Sequence, residues 1–539
     1  MTDTAPADFP IEWPDPTDER LTWELDDMHM PFALAPLSID YVTTLASGFN
    51  PTYEEWSLPL RIWFREFHGY CFFAYDAGVP EAEESAVNER RKEKNRAFGL
   101  ISDAHWREEA LPELKAIERG IRTVDVDGQA PGDLAAAWDA AWTASARAWA
   151  IHFKVIRGAY QVTEDLADLY EQALPGPAAA RDALGLIQGE NSTLQEVEAG
   201  AERLADLAQE LPAVRDRLGT APPPTIEELE RLDGGAAFLA ALVPFLEEHG
   251  HLGQAFDDLA APSWAEEPAI LLGELGQRLK QPPERAAARV ERLRRDAASL
   301  ADAARERLAG EPEKLARFEE LLALARLIGP LTEVHNYWID RMVLARLRTL
   351  AFRVGRRLVR EGSIGAEDDV LYLHADEIAE AIRRPGDRRT LVAERRSEHA
   401  RQRELKPPRV LGKPLKEDED NGRFGGRDRD QASSNELTGV GASAGLVRGP
   451  ARVALGPEDF ARIQSGDVIV CPSSNPSWVP VFAIAAGLVT NTGGILAHAA
   501  VVAREFGLPA VVGVTGATTL IRDGRTVEID GTAGTVRLL

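Results

Sequence analysis

Apolar and polar positions follow one rhythm over most of the chain and another near its end. Apolar residues recur at helical spacing across 134–172, 193–218, 285–309 and 313–361, segments rich in Ala, Glu, Arg and Leu. Pro222-Pro223-Pro224, Pro282-Pro283 and Gly329-Pro330 interrupt them, and with the irregular apolar spacing these breaks favour a helical bundle over a coiled coil. No fixed period repeats along the sequence. Beyond residue 437 the pattern changes. Short β-branched runs at 467–471, 487–490 and 509–514 are bounded by Gly, Pro and Asn, with helical spacing over 479–486 and 498–506 between them. This alternation predicts a small α/β domain, closed by a hairpin over 526–539 in which Gly531 and Gly534 break two alternating runs. The expected fold is multidomain: a mainly α-helical region over 1–405, a linker over 406–436, and the α/β domain over 437–539. The linker is expected from its Pro, Gly and charge content, as in Lys416-Glu417-Asp418-Glu419-Asp420-Asn421-Gly422, which has neither period.

Composition narrows the class. With 539 residues and 44% hydrophobic positions the chain can build several real cores. Its net charge of −26 opposes nonspecific binding to nucleic acid and to anionic membranes. No apolar run approaches the roughly 20 residues of a membrane span, and Met1 to Trp13 is acidic and proline-bearing, unlike a signal peptide. Cys71 and Cys471 are the only cysteines. Two rule out a disulfide framework and are too few for a cysteine zinc site, so a reducing, cytoplasmic setting is expected.

Candidate chemistry concentrates at Gly493-Gly494-Ile495-Leu496-Ala497-His498. Two glycines permit a tight turn and close backbone approach, and His498 begins the predicted helix, where free N–H groups and the helix dipole favour an anion. Gly493 and Gly494 could therefore bind phosphate and His498 carry it; taken alone, the same residues also read as an ordinary turn with a surface histidine. Arg504 lies about one and two-thirds turns further on; it reads either as a helix-surface arginine or as a phosphate or docking contact. A second concentration is Glu333, His335, Tyr337, Asp340 and Arg341 among apolar neighbours, many proton-handling groups on one helix. His335 is the candidate general base or, alternatively, a histidine hydrogen-bonded within the bundle. His249 and His251, at i and i+2, cannot share a helical face, so no metal is expected there; His251 is the alternative base. His29 has a weaker claim. Phe67 and Tyr70 fall in an aromatic stretch, 63–75, that could wall a flat ring or simply pack a core.

The segment Gly493-Gly494-x-x-x-His498-x-Ala500-x-Val502-Ala503-Arg504-Glu505-x-Gly507-x-Pro509-Ala510, with Val470-Cys471-Pro472, Asn475-Pro476-Ser477-Trp478-Val479-Pro480, Asp523-Gly524 and Asp530-Gly531, resembles the phosphohistidine, or PEP-utilizing enzyme mobile, domain. That swivelling domain is shared by phosphoenolpyruvate synthase, pyruvate phosphate dikinase, rifampicin phosphotransferase and phenylphosphate synthase. Leu496-Ala497 stand where dikinases commonly have Thr-Ser, so regulation through a neighbouring threonine is not expected. Upstream, Phe245-Leu246-Glu247-Glu248-His249-Gly250-His251, Asp258-Leu259-Ala260-Ala261-Pro262-Ser263-Trp264, Gly355-Arg356-Arg357-Leu358-Val359 and Asp369-Val370-Leu371-Tyr372-Leu373 are similar to the acceptor-binding domain of rifampicin phosphotransferase. That resemblance makes 1–405 an acceptor-binding region, with Glu333, Tyr337, Asp340, Arg341, His251, Phe67 and Tyr70 as substrate-binding candidates. The chain has no Gly-x-x-x-x-Gly-Lys-Ser/Thr loop. Phenylphosphate synthase keeps its ATP-grasp subunit separate, and likeness to it implies such a partner holding ATP and Mg²⁺, a phosphohistidine intermediate, and a phenolic acceptor. A rifamycin-like antibiotic, an alcohol, pyruvate, or a noncatalytic phosphocarrier role remain the alternatives.

Overall fold

The structure, a computed structural model, describes residues 9–26, 29–30, 32–176, 179–252, 258–280, 284–414, 435–474, 478–495 and 497–539. Most of the expected linker, 415–434, lies outside the described residues, as do Asn475, Pro476, Ser477 and Leu496. The chain forms two compact units: the first from 1–158, 256–261 and 335–416, the second from 159–255, 262–334 and 417–539.

Helices dominate the first unit, but the aromatic stretch folds otherwise. Strands β1 (Thr22–Leu25), β2 (Arg61–Phe67), β3 (Tyr70–Asp76) and β4 (Val410–Gly412) form an antiparallel sheet in the order β2-β3-β1-β4. His68 and Gly69 make the turn between β2 and β3 with φ of 52° and 80°, the left-handed pair that a two-residue hairpin turn requires. Phe67 pairs with Tyr70 in register, and both pack with Phe9, Trp23 and Phe72 in one buried cluster. The mainly helical region 1–405 thus contributes three strands to a small antiparallel sheet not expected from sequence. Its strands are short, and β4 comes from the stretch read as linker, so neither periodicity nor neighbouring sequence announces it.

In the second unit, helices including Ser192–Glu210, Gly235–His249, Ala269–Lys280, Ala286–Leu308 and Pro312–Ile328 accompany an α/β sheet. Its strands are β5 (Glu436–Thr438), β6 (Val440–Ser443), β7 (Leu446–Val453), β8 (Val468–Cys471), β9 (Gly487–Thr490), β10 (Ala510–Val512), β11 (Thr526–Asp530) and β12 (Thr535–Leu538), in the order β5-β12-β11-β7-β8-β9-β10-β6. β7 to β10 run parallel. Every residue of β8, β9 and β10 is buried, as expected for strands covered on both faces. The helix predicted over 498–506 has those bounds, whereas the one predicted over 479–486 stops at Phe482. Leu194 and Ile270 from the unit's helices pack against the sheet's core, and the Arg289 guanidinium lies 4.4 Å over the Phe506 ring. Among the described residues no helix is long and apolar enough to cross a membrane.

Candidate active site

The site begins where β9 ends. Asn491 donates its backbone N–H to the Cys471 carbonyl (3.0 Å) and brackets Thr518 with its side chain, donating to Oγ1 at 2.8 Å and accepting from the backbone N–H at 2.9 Å. These bonds fix the exit from the sheet. Gly493 then takes φ of 106°, a backbone that L side chains rarely adopt. After Gly494, Ala497 supplies the N-cap of the helix His498–Phe506, and no side chain caps its first turn. This turn follows the carboxyl end of the parallel strand β9, the end at which open α/β folds bind ligands.

His498 is the first residue of that helix. Its Nδ1 lies 2.9 Å from Oε2 of Glu333, and the two side chains are 12% and 11% exposed. A carboxylate can only accept, so this contact places the ring proton on Nδ1 and leaves a lone pair on Nε2. Nε2 is buried and has no hydrogen-bond partner among the described residues. The contact thus orients the imidazole and directs Nε2 of its neutral form outward from Glu333 as the nucleophilic nitrogen.

Arg504 anchors the loop from below. Buried to 5% exposure, it donates Nη1–H to the carbonyls of Ile495 (2.9 Å) and Ala442 (3.1 Å), tying the glycine loop to β6. Burial lowers its pKa to about 10, so it stays charged at neutral pH. Glu505, desolvated beside it and accepting from the Gly189 N–H at 3.3 Å, is pushed up to about 7. Glu333, Arg504 and Glu505 line a small cleft, open to solvent, together with Tyr160, Thr163, Gln188 and Asn191. These last four were not singled out from sequence: Tyr160 and Thr163 are polar residues of a predicted helix, and Gln188 and Asn191 fall between two predicted helices.

The remaining candidates fall elsewhere. In the first unit His335 (3% exposed) and Asp340 meet His152, a residue sequence reading missed: Asp340 Oδ1 is 3.1 Å from His152 Nδ1, and the two imidazole centroids are 4.4 Å apart. Burial drops His152 to about 3, keeping it neutral. Its link to Asp340 spans 188 positions, so nothing local marks it. Tyr337, half-buried beside Trp338, and Arg341, 2% exposed, belong to the π-helical turn Tyr337–Val343. Tyr70 donates its hydroxyl to the Leu405 carbonyl at 3.0 Å, and Phe67 sits beside it in the sheet's core. His249 and His251 are buried near the end of the helix Gly235–His249 in the second unit. His29 lies 2.8 Å from Asp26.

Comparison with known families bears directly on this geometry. Residues 463–534 match the family model for the PEP-utilising enzyme, mobile domain, and the match contains the glycine loop and His498. The C-terminal sheet carries a PEP-utilising enzyme mobile domain. Residues 152–333, ending at the carboxylate that contacts the mobile domain's histidine, match the rifampicin phosphotransferase fourth domain. Among relatives, chondramide synthase of Chondromyces crocatus is 31% identical across 99% of this chain and 14% of its own length. A rifampicin phosphotransferase from a Streptomyces species is 34% identical over 72% of this chain and 44% of that protein. The uncharacterised phosphotransferase YvkC of Bacillus subtilis is 28% identical over 58% and 38%. The chain spans less than half the length of each of these relatives.

Proposed function

We propose that this protein is a phosphotransferase that carries a phosphoryl group on Nε2 of His498 and passes it to the hydroxyl of a small acceptor. The observation that carries the reading is the Glu333–His498 contact at the start of the mobile-domain helix. In the first half-reaction the Nε2 lone pair attacks phosphorus, a P–N bond forms and the donor's P–O bond breaks. Nδ1–H stays on Glu333, whose charge offsets that of the phosphorylated ring. In the second, the acceptor oxygen attacks phosphorus, the P–N bond breaks, and the hydroxyl proton leaves to a base. We place ATP and Mg²⁺ on an ATP-grasp partner, on the resemblance to phenylphosphate synthase. The acceptor class we assign is a phenol, on the resemblance to phenylphosphate synthase.

The test loads the full chain with ATP and an ATP-grasp partner, then locates acid-labile phosphate by mass spectrometry and the bonded nitrogen by ³¹P NMR. One phosphate on Nε2 of His498, absent from His498→Ala, is expected. Labelling at another residue overturns the assignment. A panel of phenols, alcohols and pyruvate then identifies the acceptor class, and turnover of pyruvate without phenol turnover would refute the phenolic reading.

A further inference from the structure

Three side chains left unused by phosphohistidine chemistry converge inside the first unit. His152 comes from the helix Pro131–Ala173, and His335 and Asp340 from the helix that begins at Leu331 and passes into the π-helical turn Tyr337–Val343. In a regular α-helix, positions five apart point about 140° away from each other. A π-helical turn, which hydrogen-bonds i to i+5, brings them to one side. Asp340 consequently reaches both rings: Oδ1 is 3.1 Å from His152 Nδ1 and Oδ2 is 3.8 Å from His335 Nε2. The rings stand at 82° to one another with centroids 4.4 Å apart. One donor atom from each of the three residues lies within 4.8 Å of the others.

Metal geometry gives those distances a meaning. A tetrahedral ion with ligands near 2.1 Å spaces its donors by about 3.4 Å, and the two carboxylate-to-imidazole distances, each to a different oxygen of Asp340, fall on either side of that value. We propose that His152, His335 and Asp340 form a binding site for one first-row divalent transition metal. Two imidazoles and one carboxylate suit Zn²⁺, Fe²⁺, Co²⁺ or Mn²⁺, whereas Mg²⁺ and Ca²⁺ take oxygen-rich shells. The side chains are 13%, 3% and 10% exposed, so His152 offers the most accessible edge for an entering ion. Three protein ligands leave coordination positions for water or a hydroxyl oxygen, the arrangement of reactive sites as opposed to closed structural ones. An oxygen bound there would lose its proton more readily. This goes beyond the phosphotransfer reading and gives His335 the role of ligand in place of the base expected from sequence.

The test needs neither ATP, partner nor acceptor, so it can fail independently of that reading. Chelator-treated full chain is titrated with Co²⁺ or Zn²⁺ alone by calorimetry, and bound metal is counted by elemental analysis. One equivalent per chain is expected, with Co²⁺ giving the visible bands of an imidazole-bound ion. His152→Ala and Asp340→Asn should each weaken binding at least tenfold while circular dichroism stays native, and His251→Ala should bind as the parent does. Should either variant misfold, histidine ¹⁵N spectra of the parent with and without Zn²⁺ decide the matter: two coordinated rings support the site. No bound equivalent in the parent, or binding undiminished in folded His152→Ala and Asp340→Asn, overturns it.

Discussion

Glu333 is worth more to His498 than a hydrogen bond. By accepting from Nδ1 it fixes the tautomer, and the isosteric amide loosens that control because it can offer either a carbonyl acceptor or an NH₂ donor. Glu333→Gln should therefore slow phosphorylation of His498 by about 10² to 10⁴ with the fold intact, by analogy with amide substitutions beside other catalytic histidines. The check is the rate of acid-labile phosphate formation, and a rate equal to the parent's would remove Glu333 from the mechanism. Glu505 makes a second prediction. Its carboxyl is raised from 4.5 to about 7 by burial, so between those pH values the folded chain holds a proton that the unfolded chain has lost. That contribution to stability is present below about 4.5 and disappears as pH rises through 7. Glu505→Gln, which still accepts from the Gly189 N–H, should melt higher than the parent at pH 8 and alike at pH 4.5. Equal melting differences at both pH values would refute the assignment. His498 was legible because its neighbours in sequence are its neighbours in space. Glu333 was legible only as one polar residue among several, since its partner comes from another element, and His152 was not legible at all.

At the level of elements, the strands β8 to β10 and the His498 helix could be read because each buries a continuous apolar run or stripe, with Gly and Pro at its ends. The antiparallel sheet β1 to β4 and the π-helical turn could not: one draws a strand from Val410–Gly412, and the other keeps helical composition while changing register. The loop before His498 depends on two fixtures. At Gly493 an added Cβ meets Ala497 Cβ at 3.1 Å under a positive φ, so Gly493→Ala should displace the loop and lower His498 phosphorylation at least tenfold with near-native circular dichroism. Arg504→Leu removes charged donors from two carbonyls and should cost about 3 kcal/mol in urea unfolding as well as slowing phosphorylation. Unchanged loading in both variants would show that the loop is held by other means.

At the scale of the whole molecule, the proposed chemistry requires a donor from outside the 539 residues. The purified chain should turn over no ATP, and adding an ATP-grasp partner should restore turnover; robust hydrolysis by the chain alone would refute the split arrangement. A last consequence lies in how the α/β sheet finishes. β5 and β6 stand at opposite ends of its strand order, yet only Gly439 separates them in sequence. One bent extended segment therefore joins the two ends, with Gly439 N–H bonded to the Gly534 carbonyl at 2.9 Å and no room for a side chain against the Val512 carbonyl, 2.5 Å from where a Cβ would stand. The two edge strands are only 3 and 4 residues long, so neither offers a long row of unpaired amides to a passing chain. The histidine-bearing sheet can present its reactive end to partners while its short edges make a poor template for aggregation, and both edges are joined through the one residue small enough to turn between them.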